Sequence, residues 1–510
     1  MALDARLREG SLINWESIRE NKNEPFFRHR SPDCGNEKHK EEAESTARDL
    51  ELSSVAYEIG DAFSTRIKNK NRQIGDGKSK IPYYFSSFAA AETFKWPFVE
   101  KEAIIQLHDA VEELKDREGL LDKVDGSFTL LEEQSTELNA LFERGEISFL
   151  EFEKRIMEAN AVLGTALNRT DSGLLKDLSD VFQSHKWSRS PLGDYYLIVG
   201  SQQVKARVDN NGFQLFAEAR DVAVDNTDQS SFTSDNLFVQ KVMHGSIQRR
   251  RAYDLLGGSK IFLAYLVGLA SWAEQESLVK PTFNDSGEVS ITGGYHPLLK
   301  SLRRKTNGRI VKHNTKLESG NKVVAITGPN LGGKSTYIKE FALISVLAQS
   351  GSFVPAKSAN LPIYKKFLTH FGGEEDILKN LSLFRSEIKS LNRVLRRMGP
   401  STLLVCDELF RGTESGEKGG ARLHEAVVEA LVHDYNGRTV LSSHYHESLA
   451  RQQHLPNIQF KRVEVDRSGK PKYTIVEGVD KGGYCVQAAI RSGLHKRVIA
   501  RLNGNGRDSK

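Results

Sequence analysis

The sequence predicts a mixed fold, in which a mainly α-helical N-terminal region with a small β insertion precedes a C-terminal α/β domain. Apolar residues at helical spacing between charged ones indicate the helical region. A strand, a glycine-rich loop and a helix in direct succession indicate the α/β domain, and strands then alternate with helices to about Asn503. A chain of 510 residues is long enough for two to four domains.

Composition restricts the class of protein. The chain is 38% hydrophobic and 27% charged, and its net charge of +5 permits nucleic-acid binding without requiring it. Its cysteines, Cys34, Cys406 and Cys485, lack metal-ligand spacing, which favours a reduced, cytoplasmic compartment. The N-terminus has no apolar signal core, and the most apolar run, Ile261 to Ala273, is too short to cross a bilayer. We therefore expect a cytoplasmic protein without membrane contact.

Residues 1–48 are expected to form a charged arm. They are rich in Lys, Glu, Arg and Asn, a composition that favours disorder. A helix is predicted from roughly Thr46 to Arg66, followed by a basic loop from Lys68 to Lys80 that solvent contact explains better than nucleic-acid binding. The predicted domains are a helical region at residues 49–284 and an α/β domain at residues 285–510.

Long antiparallel or coiled helices are predicted within the helical region, in the manner of an arm or lever. One helix has an apolar seam, and Gly145 should end the next, Leu130 to Arg144. Ser148 and Glu151 form a capping box for a helix from Phe149 to Leu167. The seam consists of Ile104, Leu107, Val111 and Leu114.

A small antiparallel β insertion is predicted between residues 195 and 216. The apolar runs Tyr195 to Val199 and Phe213 to Phe216 are expected to be strands, and the turn residues Asn210, Asn211 and Gly212 lie between them.

The segment Thr327 to Thr336, TGPNLGGKST, has the context that a phosphate-binding P-loop requires, because an apolar strand precedes it and a helix follows it. Its backbone N–H groups can turn towards phosphate oxygens at the positive end of the helix. Lys334 would reach the terminal phosphates and Ser335 would bind Mg²⁺. The ligands predicted are ATP and Mg²⁺. The predicted nucleotide-binding residues are Gly328, Pro329, Asn330, Gly332, Gly333, Lys334, Ser335 and Thr336.

A second buried strand, Thr402 to Cys406, ends at the acidic pair Asp407 and Glu408. In a P-loop ATPase such a strand delivers an Asp to Mg²⁺, and the next carboxylate can polarise water. Asp407 is therefore a predicted metal ligand and Glu408 a predicted catalytic base. The alternative, a pair of solvated loop acids, is less consistent with a P-loop upstream.

A third strand, Thr439 to Leu441, leads to His444, a predicted catalytic residue that would sense the γ-phosphate. His444 and His446 beside Glu447 could instead suggest a metal site, but the sequence offers no further ligand cluster.

These motifs together resemble the ATPase domain of the MutS family of DNA mismatch repair proteins. The P-loop differs from the usual family pattern by Leu331 in place of Met, and segment 407–413, DELFRGT, differs from DELGRGT by Phe410 in place of Gly. Further similarities run from about Ile261 to Leu502. They pair Gly294 to Leu299 with GRHPLL, Asn314 with VPND, Ser382 to Glu387 with STF-x-x-E, Ser443 to Glu447 with THYHE, and Gly483 to Ala489 with SYGIHVA.

The resemblance implies an ABC-type ATPase that acts as a homodimer on double-stranded DNA, mismatched or branched. Each ATP would lie between the P-loop of one subunit and the Ser382 segment of the other. The helical region would be the family's core and lever, with a clamp near its tip.

The chain departs from mismatch-recognising members, because its nearest match to their Phe-x-Glu reader, Gly60 to Phe63, lies in a predicted helix and lacks the Glu. The expectation is a short family member without the reader domain. This leaves open a nucleotide-gated clamp or scaffold for branched DNA or protein partners that does not recognise mismatches. An SMC-like ATPase is disfavoured, because the P-loop and the Asp407 segment occur in one contiguous stretch.

Overall fold

The structure is a computed structural model and describes residues 37–71, 97–147, 149–183, 185–189, 195–199, 202–209, 212–221, 260–300, 310–371, 383–410, 419–467 and 469–480, with isolated positions elsewhere. The chain divides into two compact units. The first contains Ser53–Ser277 and Ser350–Ser352, and the second contains Lys38–Leu52, Leu278–Gln349 and Phe353–Lys510.

Two helices, α1 (Glu37–Asp49) and α2 (Leu52–Asn71), occupy the region where one helix was predicted. The chain breaks at Glu51, whose φ of 55° is left-handed. Leu50 and Leu52 flank the break, and both are almost completely buried. A continuous helix would turn residues two apart to different faces, so the break allows both leucines to be buried. Residues 1–36 of the predicted arm lie outside the described residues, and its last residues form α1.

Helices dominate the first unit, and the predicted apolar seam is confirmed because all four of its residues are fully buried. Gly145, with a φ of 70°, follows the C-cap residue Arg144, so the helix ends near Gly145 as predicted, but it begins at Leu120 and not at Leu130. Ser148 lies outside the described residues, so the capping box stays a prediction. After α2, the helices are α3 (Lys101–Asp116), α4 (Leu120–Glu143), α5 (Phe149–Ala166) and α6 (Gly173–Gln183).

The predicted antiparallel β insertion is confirmed, but the sheet has four strands, ordered as in the chain, and extends over residues 185–221. The strands are β1 (His185–Arg189), β2 (Tyr195–Val199), β3 (Gln202–Asp209) and β4 (Gly212–Asp221). A helix over residues 260–276, α7, then completes the unit. Residues 262–273 of this helix are all buried. None of the described helices is long and apolar enough to cross a bilayer.

The second unit is built on a six-stranded sheet with strand order β10-β11-β12-β8-β13-β14, parallel except for β14. A smaller sheet has the order β5-β9-β6-β7. The strands are β5 (Thr282–Asn284), β6 (Val289–Gly294), β7 (His313–Leu317), β8 (Val323–Thr327), β9 (Ser358–Pro362), β10 (Lys366–His370), β11 (Thr402–Asp407), β12 (Arg438–Ser442), β13 (Ile458–Val465) and β14 (Pro471–Glu477). The helices are α8 (Lys334–Gln349), α9 (Leu383–Leu395), α10 (Gly420–His433) and α11 (His446–Arg451).

The parallel order determines where the candidate site lies. Strands β8 and β12 are buried along their whole length, as expected for the centre of a sheet covered on both faces. Asp407 pairs with Ser442, and Ser442 pairs with Ile326, so the carboxyl ends of β11, β12 and β8 are adjacent. Ligands of open parallel sheets bind at this edge.

Helix α1 packs on the same unit. Thr46 Oγ1 donates to the carbonyl of Phe367 at 3.5 Å, and Thr369 Oγ1 donates to the Asp49 carboxylate at 2.5 Å. Lys339 on α8 forms a 3.0 Å ion pair with Glu51, which follows α1. The end of the predicted arm is therefore attached to the α/β unit.

Candidate nucleotide-binding site

The glycine-rich loop connects β8 to α8. Gly328 has a φ of 148°, and a Cβ at this position would lie 2.7 Å from side-chain atoms of Val463. Gly333 has a φ of 91°, a conformation that favours glycine. The sequence therefore has glycine where the neighbouring strand leaves no room and where the backbone requires it.

Lys334 lies inside this loop with only 4% of its side chain exposed. Its Nζ donates to the carbonyl oxygens of Gly328 at 3.0 Å and Pro329 at 3.3 Å. The same nitrogen is 3.9 Å from Oε1 of Glu408. A buried cation is thus held between the loop and the end of β11.

Two hydroxyl groups converge on one carboxylate oxygen beside Lys334. Ser335 Oγ donates to Asp407 Oδ1 at 2.9 Å, and Ser442 Oγ donates to the same oxygen at 2.5 Å. Hydroxyl and carboxylate oxygens are hard ligands of the kind that Mg²⁺ prefers. The donor set is therefore suitable for Mg²⁺. Sequence reasoning missed Ser442, whose position at the end of a strand beside β11 was the available signal.

Glu408 begins a strained turn. Its φ is 54°, and its backbone N–H donates to the carbonyl oxygen of Ser442 at 3.3 Å and to Ser442 Oγ at 3.2 Å. Strained backbone of this kind persists where surrounding contacts fix it, and it is common at functional sites.

The turn continues to Phe410, whose φ is 61°. The Phe410 N–H donates to the buried Glu387 carboxylate, and Tyr445 OH donates to the Phe410 carbonyl at 2.8 Å. The turn that carries Glu408 is thus connected to α9 and to the segment around His444.

His444 is half-buried, and its ring centre is 4.2 Å from that of Tyr445. His446 Nδ1 lies 3.4 Å from Asp480 Oδ2. Burial lowers the pKa of His446, although the Asp480 charge opposes this shift. His444 and His446 therefore have different surroundings.

A cavity of about 840 Å³ contains most of the predicted site residues. The loop residues from Asn330 to Thr336 line the cavity together with Asp407 and Glu408. The cavity is also lined by residues that sequence reasoning did not assign to the site. These are His296, Leu299, Ile310, Val311, His313, Glu340 and Tyr473.

His296 and Leu299 of the GRHPLL-like segment line the cavity, and Asn314 of the VPND-like segment follows the lining residue His313 in the chain. Burial lowers the pKa of His296 to about 4. Asn314 Oδ1 accepts a hydrogen bond from the Gly293 N–H at 2.8 Å. Other predicted segments, Ser382, the residues from Arg411 to Thr413 and the residues from Gly483 to Ala489, lie outside the described residues.

A central strand of the sheet, β8, leads through a glycine-rich loop into a helix, and Asp407 at the end of β11, two strands away, lies beside that loop. This arrangement is typical of P-loop α/β domains. Residues 324–507 match the family model described as MutS domain V. The C-terminal part of this chain is therefore similar to MutS domain V.

Relatives named DNA mismatch repair protein MutS agree with this similarity. The protein of Shouchella clausii is 36% identical over 239 residues, which are 46% of this chain and 27% of that protein. The protein of Leuconostoc mesenteroides is 35% identical over 243 residues, 47% of this chain and 28% of the relative. The protein of Rickettsia prowazekii is 30% identical over 258 residues, 50% of this chain and 29% of the relative. The chain thus spans less than a third of the length of these relatives.

Proposed function

We propose that this chain binds ATP with Mg²⁺, hydrolyses the ATP, and uses the nucleotide state to control its grip on double-stranded DNA. One observation carries the proposal. The Lys334 ammonium, the Ser335 hydroxyl and the carboxylates of Asp407 and Glu408 meet in one cavity at the carboxyl edge of the sheet.

The phosphate end of the cavity follows from charge and hydrogen bonding. Lys334 would exchange its loop carbonyl acceptors for the β- and γ-phosphate oxygens, and backbone N–H groups from Gly332 to Ser335 would donate to the same phosphates. Mg²⁺ bound by Ser335 and Asp407 would neutralise phosphate charge during hydrolysis. Ser442 would orient the Asp407 carboxylate through its hydrogen bond.

Hydrolysis requires a group that takes a proton from the attacking water. Glu408 is suited to this role because its backbone is fixed by Ser442 and its carboxylate lies beside Lys334. His444, in the segment that follows the adjacent strand β12, would sense the γ-phosphate.

Other residues that line the cavity would provide surfaces for the nucleotide base. Ile310 and Val311 provide aliphatic surface, and the Tyr473 side chain is 46% exposed. Aromatic rings and branched aliphatic groups pack well on a planar base.

Dimerisation and DNA binding are supported by the family relationship. In this proposal a second subunit contributes its Ser382 segment to each ATP, and the first unit serves as core and lever towards DNA. Gel-shift competition among matched, mismatched and branched duplexes, with and without a non-hydrolysable ATP analogue at stated salt, tests the DNA role. Equal affinity for matched and mismatched duplex would favour the clamp or scaffold.

Nucleotide binding is tested by Lys334→Ala. Removing the buried ammonium is expected to weaken ATP binding about a hundredfold, because a charge-assisted contact with phosphate is lost. Lys339→Ala is the matched control, since Lys339 is on the same helix but is paired with Glu51. Equal ATP affinity in both variants, measured by calorimetry, would reject the site.

A further inference from the structure

His313 lines the cavity and connects three elements of the second unit. It lies on β7, and its Nδ1 is 2.7 Å from Oε2 of Glu340 on α8. Its Nε2 is 2.8 Å from the carbonyl oxygen of Tyr473 on β14. Only 9% of the His313 side chain and 3% of the Glu340 side chain are exposed. The imidazole therefore joins α8 to β14 away from water.

The two partners of His313 determine its proton count. A carboxylate oxygen and a backbone carbonyl oxygen both accept hydrogen bonds, whereas neutral imidazole has only one N–H to donate. Both bonds form when an imidazolium faces a carboxylate, or when neutral imidazole faces a carboxylic acid. In either case the His313–Glu340 pair holds one proton more than it would hold as a neutral imidazole and a charged carboxylate.

The backbone conformation of Tyr473 requires stabilising contacts such as the hydrogen bond from His313. Its φ is 62°, and it lies where the register between β13 and β14 shifts. Its Cδ1 is 3.4 Å from the position that a Cβ on Gly333 would occupy. An aromatic side chain is therefore held beside the glycine-rich loop by a backbone that is unfavourable for tyrosine.

Neighbouring residues pack closely around the His313–Glu340 pair. A Cβ on Gly294 would lie 2.9 Å from Glu340 Oε1, so glycine leaves room for the carboxylate. The Tyr337 ring meets the His313 ring edge-on at 5.3 Å, and its hydroxyl is 2.9 Å from Thr315 Oγ1. These contacts fix the direction in which His313 reaches Tyr473.

We propose that His313 and Glu340 are positioning residues that hold the Tyr473 ring as one wall of the base pocket, and that they do so while the pair keeps its additional proton. This inference rests on the proposed function, because it assigns the cavity surface at Tyr473 to the base of ATP. His313 acts through Tyr473 and has no part in phosphate binding.

The electrostatic surroundings favour retention of the proton. Burial lowers the pKa of His313, but the hydrogen bond and charge of Glu340 and the Tyr473 carbonyl outweigh it and raise the pKa. Burial raises the pKa of Glu340 more than His313 lowers it.

Among the described residues, few other titratable groups face the His313–Glu340 pair. On α8 the neighbour is Tyr337, whose pKa burial raises, and β6 has no titratable side chain. On β14, Glu477 lies further along the strand and is paired with Lys461 at 2.7 Å.

When pH rises far enough to remove the proton, His313 keeps one N–H, and the charged carboxylate is the stronger acceptor. The bond to Tyr473 is then lost.

Calorimetry on the full chain with Mg²⁺ can isolate this role, using ADP and inorganic triphosphate as ligands between about pH 6.5 and about pH 9. Triphosphate lacks a base and serves as the control for the phosphate end. As pH rises over this range, the wild-type affinity for ADP relative to triphosphate is expected to fall about tenfold. This factor corresponds to the free energy of about one hydrogen bond. His313→Leu should show the same tenfold loss for ADP at about pH 6.5, with triphosphate affinity unchanged.

Glu340→Gln provides a second, independent readout. The Gln amide can donate to Nδ1, which leaves the proton on Nε2 for Tyr473 without a titrating pair. The ADP-to-triphosphate ratio of this variant should vary less than about twofold across the same pH range.

The outcomes separate the two proposals. If wild type binds neither ligand, the ATP site itself is wrong and this inference fails with it. If wild type binds both but His313→Leu leaves the ratio unchanged, the inference alone is wrong. If His313→Leu does not fold, as judged by circular dichroism, Glu340→Gln decides, and a wild-type pH slope in that variant overturns the inference.

Discussion

Phe410 shows how one residue can depart from a family pattern and keep the backbone that the pattern requires. Its φ of 61° lies in the left-handed region that favours glycine, and glycine is the residue at this position in the DELGRGT motif that segment 407–413 resembles. The Phe410 side chain is 1% exposed and belongs to the core around β11 and α10. Left-handed backbone costs about 1–2 kcal/mol, and burial of a Phe side chain contributes about 2–3 kcal/mol. Core packing therefore offsets the backbone cost.

Phe410→Gly is expected to destabilise the protein by about 2–3 kcal/mol, because the cavity costs more than the relieved backbone strain returns. Urea denaturation of the α/β unit within the full chain, followed by circular dichroism, measures the change. Leu331→Gly is the matched control, since Leu331 has the same φ of 61° but is 80% exposed. We expect no loss of stability in this variant, because relief of the left-handed backbone offsets the entropy that glycine adds to the unfolded chain. A loss as large as that of Phe410→Gly would contradict this explanation.

Glu408→Gln is predicted to separate ATP binding from hydrolysis. The amide keeps the shape of the side chain but cannot accept the proton of the attacking water, so turnover should fall about a hundredfold or more. ATP affinity should remain measurable because the glycine-rich loop is intact. Single-turnover hydrolysis and nucleotide titration on the same sample check both parts. Turnover within about twofold of wild type would exclude Glu408 as the general base, because loss of a general base should lower turnover far more than this.

The site residues differ in how far sequence could reveal them. The loop from Gly328 to Thr336 could be predicted because one contiguous segment carries its backbone geometry and its charge. Ser442 and Tyr473 could not, because the importance of the first arises from pairing between β11 and β12, and that of the second from a shift in the β13–β14 register. Such roles require strand order, which a single sequence does not contain.

At the scale of elements, Glu113 connects α3 to the start of α6. Its carboxylate accepts the N–H groups of Asp171 and Ser172, each at 2.7 Å, and Arg117 donates at 2.5 Å. These backbone groups directly precede α6, where helices leave N–H groups unsatisfied. Burial raises the pKa of Glu113, but the three hydrogen bonds outweigh it and bring the net pKa below its usual value.

Glu113→Gln is expected to lower the free energy of unfolding by about 1–2 kcal/mol near pH 7, because charge-assisted bonds become neutral ones. A lowered pKa gives stability that is present above the unfolded value and is lost as pH falls through the folded value. The difference from wild type should therefore shrink below about pH 4.5. Urea denaturation at both pH values measures it, with the exposed Glu118→Gln as control. A difference that does not depend on pH would contradict the mechanism.

The α1–α2 junction shows why helix boundaries were harder to predict than helices. The residues from Thr46 to Arg66 have a composition compatible with one helix. The break at Glu51 follows from burial of Leu50 and Leu52, and Leu50 belongs to a segment that packs on β10 through Thr46. Tertiary packing thus overrode local propensity. The seam of α3, by contrast, was predictable because its period lies wholly within one helix.

At the scale of the whole molecule, the proposed mechanism requires two copies of the chain to close around ATP. Wild type should therefore shift from monomer towards dimer when ATP and Mg²⁺ are added, and Glu408→Gln should hold the dimer because it binds ATP without hydrolysing it. Sedimentation velocity with and without nucleotide measures this shift. Protein that stays monomeric at saturating ATP would contradict the dimer mechanism.

Ser382→Arg distinguishes a contact between subunits from a contact within one subunit. If Ser382 serves the partner's ATP, a large cation there should block dimer closure and lower turnover about a hundredfold, while each chain still binds ATP through its own Lys334. Mixing this variant with Lys334→Ala then gives a decisive case. The mixed dimer has one site that combines the intact glycine-rich loop of one chain with the intact Ser382 of the other, so part of the turnover should return. No recovery over a range of mixing ratios would place Ser382 outside the composite site.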